Sequence, residues 1–460
     1  MKNRKAKRIL IFIFLLMSIL FGVFYYIYKE VSGFDSVIYP GVFIEGIDLT
    51  AKTKNEAKNI IESKYSKVIV RKNITISWND KKYNLSYAKL NPRYNIQETI
   101  DNAYGYGKNL SIFSKYKIIK SKSIQNYLLK FSYDKKAMDR FIDSIEKDIN
   151  KEAENAKINV NKGSISIVQD KKGFKLEKDK LKKILYSKMD GKNLKDINEK
   201  APVKTQEAKI KKKQLETVNS NISSYTTNYG SISSPQRANN IVISTKAING
   251  TLLMPGESFS FNNTVGPRTE KRGYQGAPVI IGNKIESGLG GGICQVSGTL
   301  YNAMLKANIN ATERVRHTFP STYVPIGMDA TIDYGNIDYK FKNTLTYPIY
   351  IEGITNGANV TFNIYSNSSL KNKTYNISSE IYETITPKEQ YIDDASIPLG
   401  KTEIVQEAHT GYKVKVYKST VENDSVVKKE LLYTDFYKPV DKIIKEELRN
   451  KIDLILISQI

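Results

Sequence analysis

Residues 287–305 read SGLGGGICQVSGTLYNAML. Three successive glycines close a turn-rich stretch, and the run after them reads as a helix with Cys294 in its first turn. Cys294 is the only cysteine among 460 residues, in a chain with two histidines. A thiol so placed is either a nucleophile or a buried, inert side chain. A single cysteine excludes an internal disulfide and any CxxC-type metal site.

Working outward, residues 255–292 are dense in glycine and turn signals, as in surface loops that build sites on a rigid support. Beyond the cysteine helix, residues 331–343 and 347–353 alternate like strands. A cysteine at a helix start has its thiolate favoured by the helix dipole and by exposed backbone N–H groups. Glycines just before it permit close approach of a substrate and leave N–H groups to stabilise an oxyanion. His317 lies downstream in the polar run ERVRHTF, followed by Asp329, Asp333 and Asp338. A Cys–His pair oriented by a carboxylate activates a thiol for acyl transfer. Cys294 and His317 are therefore the candidate nucleophile and base, and Gln295 is a candidate oxyanion donor. Asp333 is preferred over Asp329 as the orienting carboxylate, because residues 330–334 read as a strand with alternating faces. The competing reading of both aspartates is turn capping. Arg268, Arg272, Arg314 and Arg316 are candidates for receiving substrate carboxylates, with Gly290, Gly291, Gly292 and Ser297 beside them as substrate-binding positions. Ordinary solvated charge is the alternative for each arginine, and His409 reads as incidental.

The rest of the chain reads as α+β and multidomain. Lys2, Arg4, Lys5, Lys7 and Arg8 precede an apolar run over 9–28, long enough to cross a bilayer as a helix. With no small-residue cleavage site after it, the expectation is an uncleaved single-pass anchor, its basic end cytoplasmic and the bulk extracellular. Thr53 and Glu56 have the spacing of a capping box. Residues 96–155 read as mostly helical, 204–221 as a hinge or solvated helix, and 380–446 as a small all-β module. The last ten residues read as an edge strand or a tail. Net charge is +24, from 71 basic and 47 acidic residues. The lysines are spread rather than clustered, so the expected partner is an anionic wall polymer, with the membrane at the N-terminal helix and no nucleic acid. Nucleotide-binding glycine fingerprints are absent from the sequence and the two histidines lack metal spacing, so neither a cofactor nor a metal is expected.

The segments NGTLLMPGESFSFNNTVGPRTEKRGYQGAPVI (249–280), GLGGGICQVSGTLYNAML (288–305) and ERVRHTFPSTYVPIGMDATIDYGNIDYKFKN (313–343) closely resemble the VanW family. Gly298 departs from it, standing where that family more often has Ser or Thr. Upstream, TIDNAYGYGKN (99–109) and its helix-plus-strand surroundings resemble a peptidoglycan-binding domain attached to this family. Residues 396–437 resemble a G5 domain, with His409 where glycine is more usual. The residue patterns give an anchor over 1–30, an α+β region over 36–108 and a linker over 203–224, and the resemblance implies a peptidoglycan-binding domain over 109–202. The VanW domain then covers 225–365 and the G5-like module 378–448. The resemblance also implies peptidoglycan or an anionic wall polymer as partner. The leading expectation is therefore a membrane-anchored envelope protein that binds peptidoglycan through its accessory modules, its VanW domain recognising or modifying wall peptides. A Cys–His thiol acyl-transferase or amidohydrolase acting on stem peptides is the alternative.

Overall fold

The computed structural model describes residues 2–161, 163–281, 284–398 and 400–447. The fold is α+β, and the chain divides into two compact units, Met1–Ala153 with Lys172–Glu207, and Glu154–Lys171 with Ala208–Ile460. The last ten residues, read above as an edge strand or tail, lie outside the described residues.

In the first unit, the helix Lys2–Ser32 is long and apolar enough to cross a membrane. That character fits a signal sequence as well as a membrane anchor. Its far end joins a core, where Ile27 and Val31 are buried beside Tyr39, Val42, Ile44 and Ile61. The expected capping box forms: Thr53 N donates to Glu56 Oε2 at 2.8 Å and Glu56 N to Thr53 Oγ1 at 3.3 Å. The helix Lys135–Ile149 buries Met138, Ile142, Ile145 and Ile149 along one face. Such side chains each contribute about 1.5–3 kcal/mol relative to exposure. The stretch before it is extended rather than helical. Gln125–Tyr127 pairs in parallel with Val42–Ile44, and Phe131–Ser132 pairs with Arg93–Tyr94. Sheet-edge pairing with distant residues overrides the local helical pattern there. The stretch read as a linker is ordered: Val203–Gln206 pairs with Gly173–Leu176 in the first unit. In the second unit, Leu215 and Val218 are buried with Ile158, Tyr350 and Tyr365.

The second unit is organised on a four-stranded antiparallel sheet in the order Ser220–Asn228, Asn359–Ser366, Ile349–Thr355, Thr251–Leu253. The helix Ile293–Lys306 is buried along almost its whole length, as is one face of Pro235–Ile248. Both contribute to one core with Phe259, Phe341 and Phe362. The segment 330–334 is not a strand. An isolated bridge pairs Thr331 with Val315, and a second, Asp333–Ile337, closes a tight turn in which Gly335 takes φ 91°. The C-terminal residues form the expected all-β module, with Thr374–Ile385, Gly411–Glu422 and Ser425–Tyr437 in one antiparallel sheet. Leu432 and Tyr433 of the strand Ser425–Tyr437 pack on the core of the preceding domain. Lys418 reinforces that contact, buried between Glu430 Oε1 at 3.0 Å and Asn308 Oδ1 at 2.8 Å.

Candidate active site around Cys294

The glycine run before Cys294 is demanded by packing within the chain itself. Gly292 adopts φ 99°, a left-handed conformation that glycine alone takes without cost. At Gly291 a Cβ would sit 2.6 Å from Pro278 O, so any side chain there would displace the hairpin Gly276–Ile281/Lys284–Leu289. The helix then begins at Ile293 with no side chain capping it. Ile293 N donates to Gly290 O at 3.2 Å and Gln295 N to Gly292 O at 3.0 Å. Between them, the Cys294 N–H has no acceptor among the described residues. A helix start leaves such donors unsatisfied, so this N–H is free to donate to a group outside the chain.

Cys294 is half-buried and lines a cleft of about 1360 Å³ that also meets His317, Tyr323 and Asp333. His317 is buried, and its Nδ1 lies 2.6 Å from Asp329 Oδ2. The same carboxylate oxygen accepts the His317 backbone N–H at 2.7 Å. With Nδ1 committed to Asp329, Nε2 is the ring nitrogen left for the thiol. Burial pushes the Cys294 thiol up, but the hydrogen bond and charge of His317, helped by the charge of Arg268, hold it below the ordinary cysteine value. Burial pushes the His317 imidazole down, yet Asp329 and Cys294 raise it to about 10. Burial likewise raises the Asp329 carboxyl, but His317, Arg314 and Tyr437 hold it well below the usual carboxylate range. Each shift therefore runs toward the charged form, thiolate, imidazolium and carboxylate, the forms that an activated cysteine uses. When protonated, Sγ donates to Ile332 O at 3.6 Å.

Behind Asp329 lies a second layer. Arg314 makes five hydrogen bonds, one for each of its donors: Nε to Asp329 O, Nη1 to both Asp435 carboxylate oxygens, and Nη2 to Gly327 O and Asp329 Oδ1. Tyr437 donates its hydroxyl to Asp329 Oδ1 at 2.5 Å and accepts Gly327 N at 3.0 Å. Asp435 and Tyr437 belong to the strand Ser425–Tyr437 of the C-terminal module. The orienting carboxylate is thus held from a module more than 100 residues downstream in sequence.

The remaining sequence candidates separate cleanly. Asp329, rather than the preferred Asp333, faces the histidine; Asp333 accepts Asn336 Nδ2 at 2.7 Å within its turn. Gln295 is buried and donates Nε2 to Asn228 O at 2.8 Å and to Thr227 Oγ1 at 3.1 Å, so its amide donors are used on a neighbouring strand. Ser297 is buried and ties its helix to Ala330 O at 2.6 Å. Gly290 and Gly292 line the cleft, and Gly291 lies packed beneath the hairpin. Arg268 lines the cleft, whereas Arg272 is exposed, bonds to Pro267 O at 2.9 Å and is not part of that lining. Arg314 is fully engaged internally. Arg316 donates to His317 O at 2.7 Å and lies over the Tyr437 ring. His409 is less incidental than its sequence suggests, since its ring stacks on Phe319 at 4.3 Å.

Four site residues escaped the sequence reading. Arg237 and Tyr323 line the cleft, while Asp435 and Tyr437 brace its inner wall. Arg237 sits in an ordinary amphipathic helix, and nothing local distinguishes Asp435 or Tyr437 from other strand residues. Tyr323 lies in the matched stretch 313–343, its ring edge-on to His317 at 6.5 Å.

Comparison with known proteins places these features in context. A family model described as VanW like protein matches residues 236–365. A peptidoglycan-binding-domain model matches 83–198, and a G5 model matches 377–446. The uncharacterized protein YoaR of Bacillus subtilis (strain 168) is 33% identical over 235 residues, 51% of this chain and 76% of that relative. The vancomycin B-type resistance protein VanW of Enterococcus faecalis (strain ATCC 700802 / V583) is 30% identical over 134 residues, 28% of this chain. The match spans 49% of that protein's length. Among solved structures, the G5 domain of an IgA1 protease (19% identity, 17% of this chain, 92% of that one) gives a TM-score of 0.15. The HP0197 G5 domain (30%, 16% and 96%) gives 0.12, and scores this low carry no argument.

Proposed function

This chain belongs to the VanW family, and on that premise we propose that its central domain is a thiol acyl-transferase or amidohydrolase acting on peptidoglycan stem peptides. The chain is cell-wall associated, carrying peptidoglycan-binding and G5 domains beside the VanW domain. In this proposal the helix Lys2–Ser32 tethers it to the membrane, and the flanking modules, 109–202 and 378–448, bind the wall polymer. The excess of 71 basic over 47 acidic residues suits an anionic polymer.

The observation that carries the reading is the buried Asp329–His317 contact at 2.6 Å behind a thiol held below its ordinary pKa. In the proposed step, the Cys294 thiolate attacks a peptide carbonyl and a C–S bond forms. The Cys294 N–H faces the developing oxyanion. As the C–N bond breaks, imidazolium at His317 gives its Nε2 proton to the departing amine. Water or a second amine then attacks the thioester, its proton returning to His317, and Cys294 is released. Asp329 stays ionised throughout and holds the imidazole in orientation. Cys294→Ala should abolish turnover of purified muropeptides while leaving sedimentation with isolated walls intact. Wild-type turnover by that variant would sink the catalytic reading.

A further inference from the structure

Two arginines flank Cys294 with no carboxylate paired to either. Arg237, on the helix Pro235–Ile248, and Arg268, in the loop after Phe261–Val265, both line the cleft and are half-buried. Their stems press on the glycine turn that leads into the cysteine helix. A Cβ on Gly292 would lie 2.7 Å from Arg237 Cγ, and one on Gly290 would lie 3.1 Å from Arg268 Cγ. Arg237 Nη1 donates to Ser233 Oγ at 2.6 Å. Arg268 donates Nη1 to Gly266 O at 3.0 Å and Nη2 to Asn262 Oδ1 at 2.7 Å, its guanidinium lying over the Tyr334 and Phe261 rings. All of these acceptors are neutral. Among the described residues, no carboxylate oxygen lies within ion-pair distance of either arginine.

The nearby acids are occupied elsewhere. Asp338 accepts Ser260 Oγ and the Asn262 and Tyr339 backbone N–H groups, and Asp333 accepts Asn336. Most of the five donors on each guanidinium therefore lack a protein acceptor. Withdrawing a guanidinium from water without a counter-ion is costly, and burial depresses the pKa of both groups. Arg314, in the same unit, shows the opposite arrangement, with two carboxylates and every donor engaged.

We propose that Arg237 and Arg268 form a receptor for a carboxylate carried by the acyl substrate, so that the cleft takes peptides with a free carboxylate beside the bond attacked and discriminates against their amidated forms. This rests on Cys294 being the reactive thiol, and it adds the anionic character of the substrate. The alternative, that the arginines only favour the thiolate, would accelerate all electrophiles alike.

Iodoacetate and iodoacetamide separate these cases, since both alkylate the same thiolate and only one bears a carboxylate. On the full chain at pH 7, the iodoacetate-to-iodoacetamide rate ratio at Cys294 should exceed that of glutathione by roughly tenfold or more, as charge-assisted hydrogen bonds allow. Arg237→Gln and Arg268→Gln should each lower the ratio several-fold, Arg268→Lys should restore part of it, and Lys271→Gln, in the adjoining exposed loop, should match wild type. Because unfolded chain would contribute a glutathione-like ratio, each variant is compared only after circular dichroism and urea unfolding show it folded under the assay conditions. A wild-type ratio equal to that of glutathione, or an equal loss in Lys271→Gln, would overturn the receptor while leaving the thiol reading intact. Failure of Cys294 to react with either reagent faster than in urea-unfolded protein would overturn both.

Discussion

The inner and outer walls of the cleft use arginine in opposite ways. On the inner wall Arg314 has side-chain exposure of 9%, beside Asp329 at 2% and Asp435 at 10%, and every donor is matched. On the outer wall Arg237 and Arg268 keep most donors unmatched beside the thiol. The first arrangement fixes geometry, because a closed set of charge-assisted bonds has one low-energy form. The second holds charge ready for something absent from the chain. Residue type alone does not distinguish a brace from a receptor; the count of satisfied donors does.

The inner wall can be broken most severely at Asp329. Asp329→Ala leaves His317 and Arg314 buried with a carboxylate removed, and should cost roughly 3–5 kcal/mol of stability. Urea unfolding of the full chain measures this. A loss no larger than that of a surface substitution would mean that the network is not structural. The same variant should lose the enhanced reactivity of Cys294.

His317 tests the electrostatics at smaller cost to the fold. With the imidazolium present the thiol is held below its ordinary value, so the alkylation rate of the wild-type chain should rise at lower pH than that of a variant lacking the imidazole. A second inflection should appear near pH 10, where the imidazolium loses its proton. These two steps belong to the pair rather than to either residue. In His317→Ala the burial that raises the thiol pKa loses its main opponent. The profile should collapse to one step displaced to higher pH, and a wild-type profile would refute the pairing.

Tyr437→Phe is the mildest cut, removing one hydroxyl that bonds Asp329 at 2.5 Å. The expected loss is about 1–2 kcal/mol, with a partial alkaline displacement of the alkylation profile. An unchanged profile would show that the C-terminal module supports the fold without orienting the carboxylate.

Much of the fold was legible locally. The capping box at Thr53, the apolar face of Lys135–Ile149 and the turn-to-helix change before Cys294 each follow from spacing over a few residues. The misreadings share one cause. Residues 127–133 and 330–334 have ambiguous local patterns, and pairing with distant strands or a tight turn decided them. In the site, Cys294 and His317 were identifiable because rare, reactive residue types in a glycine-rich, helix-starting context are uncommon by chance. The choice of Asp329 over Asp333 was not, since both lie downstream at similar distance and only the turn at Gly335 directs Asp333 away.

By itself, then, the sequence determined the apolar N-terminal helix, the α+β and all-β regions, and the helix start that carries the thiol. These depend on short-range periodicity and on backbone conformations particular to glycine. The tertiary structure alone decided which carboxylate serves the histidine, which arginine is neutralised, and that Asp435 and Tyr437 brace the inner wall from another module. Hydrogen-bond donors and buried charges are satisfied by whichever groups the fold brings within about 3 Å, and no local spacing rule encodes that partner.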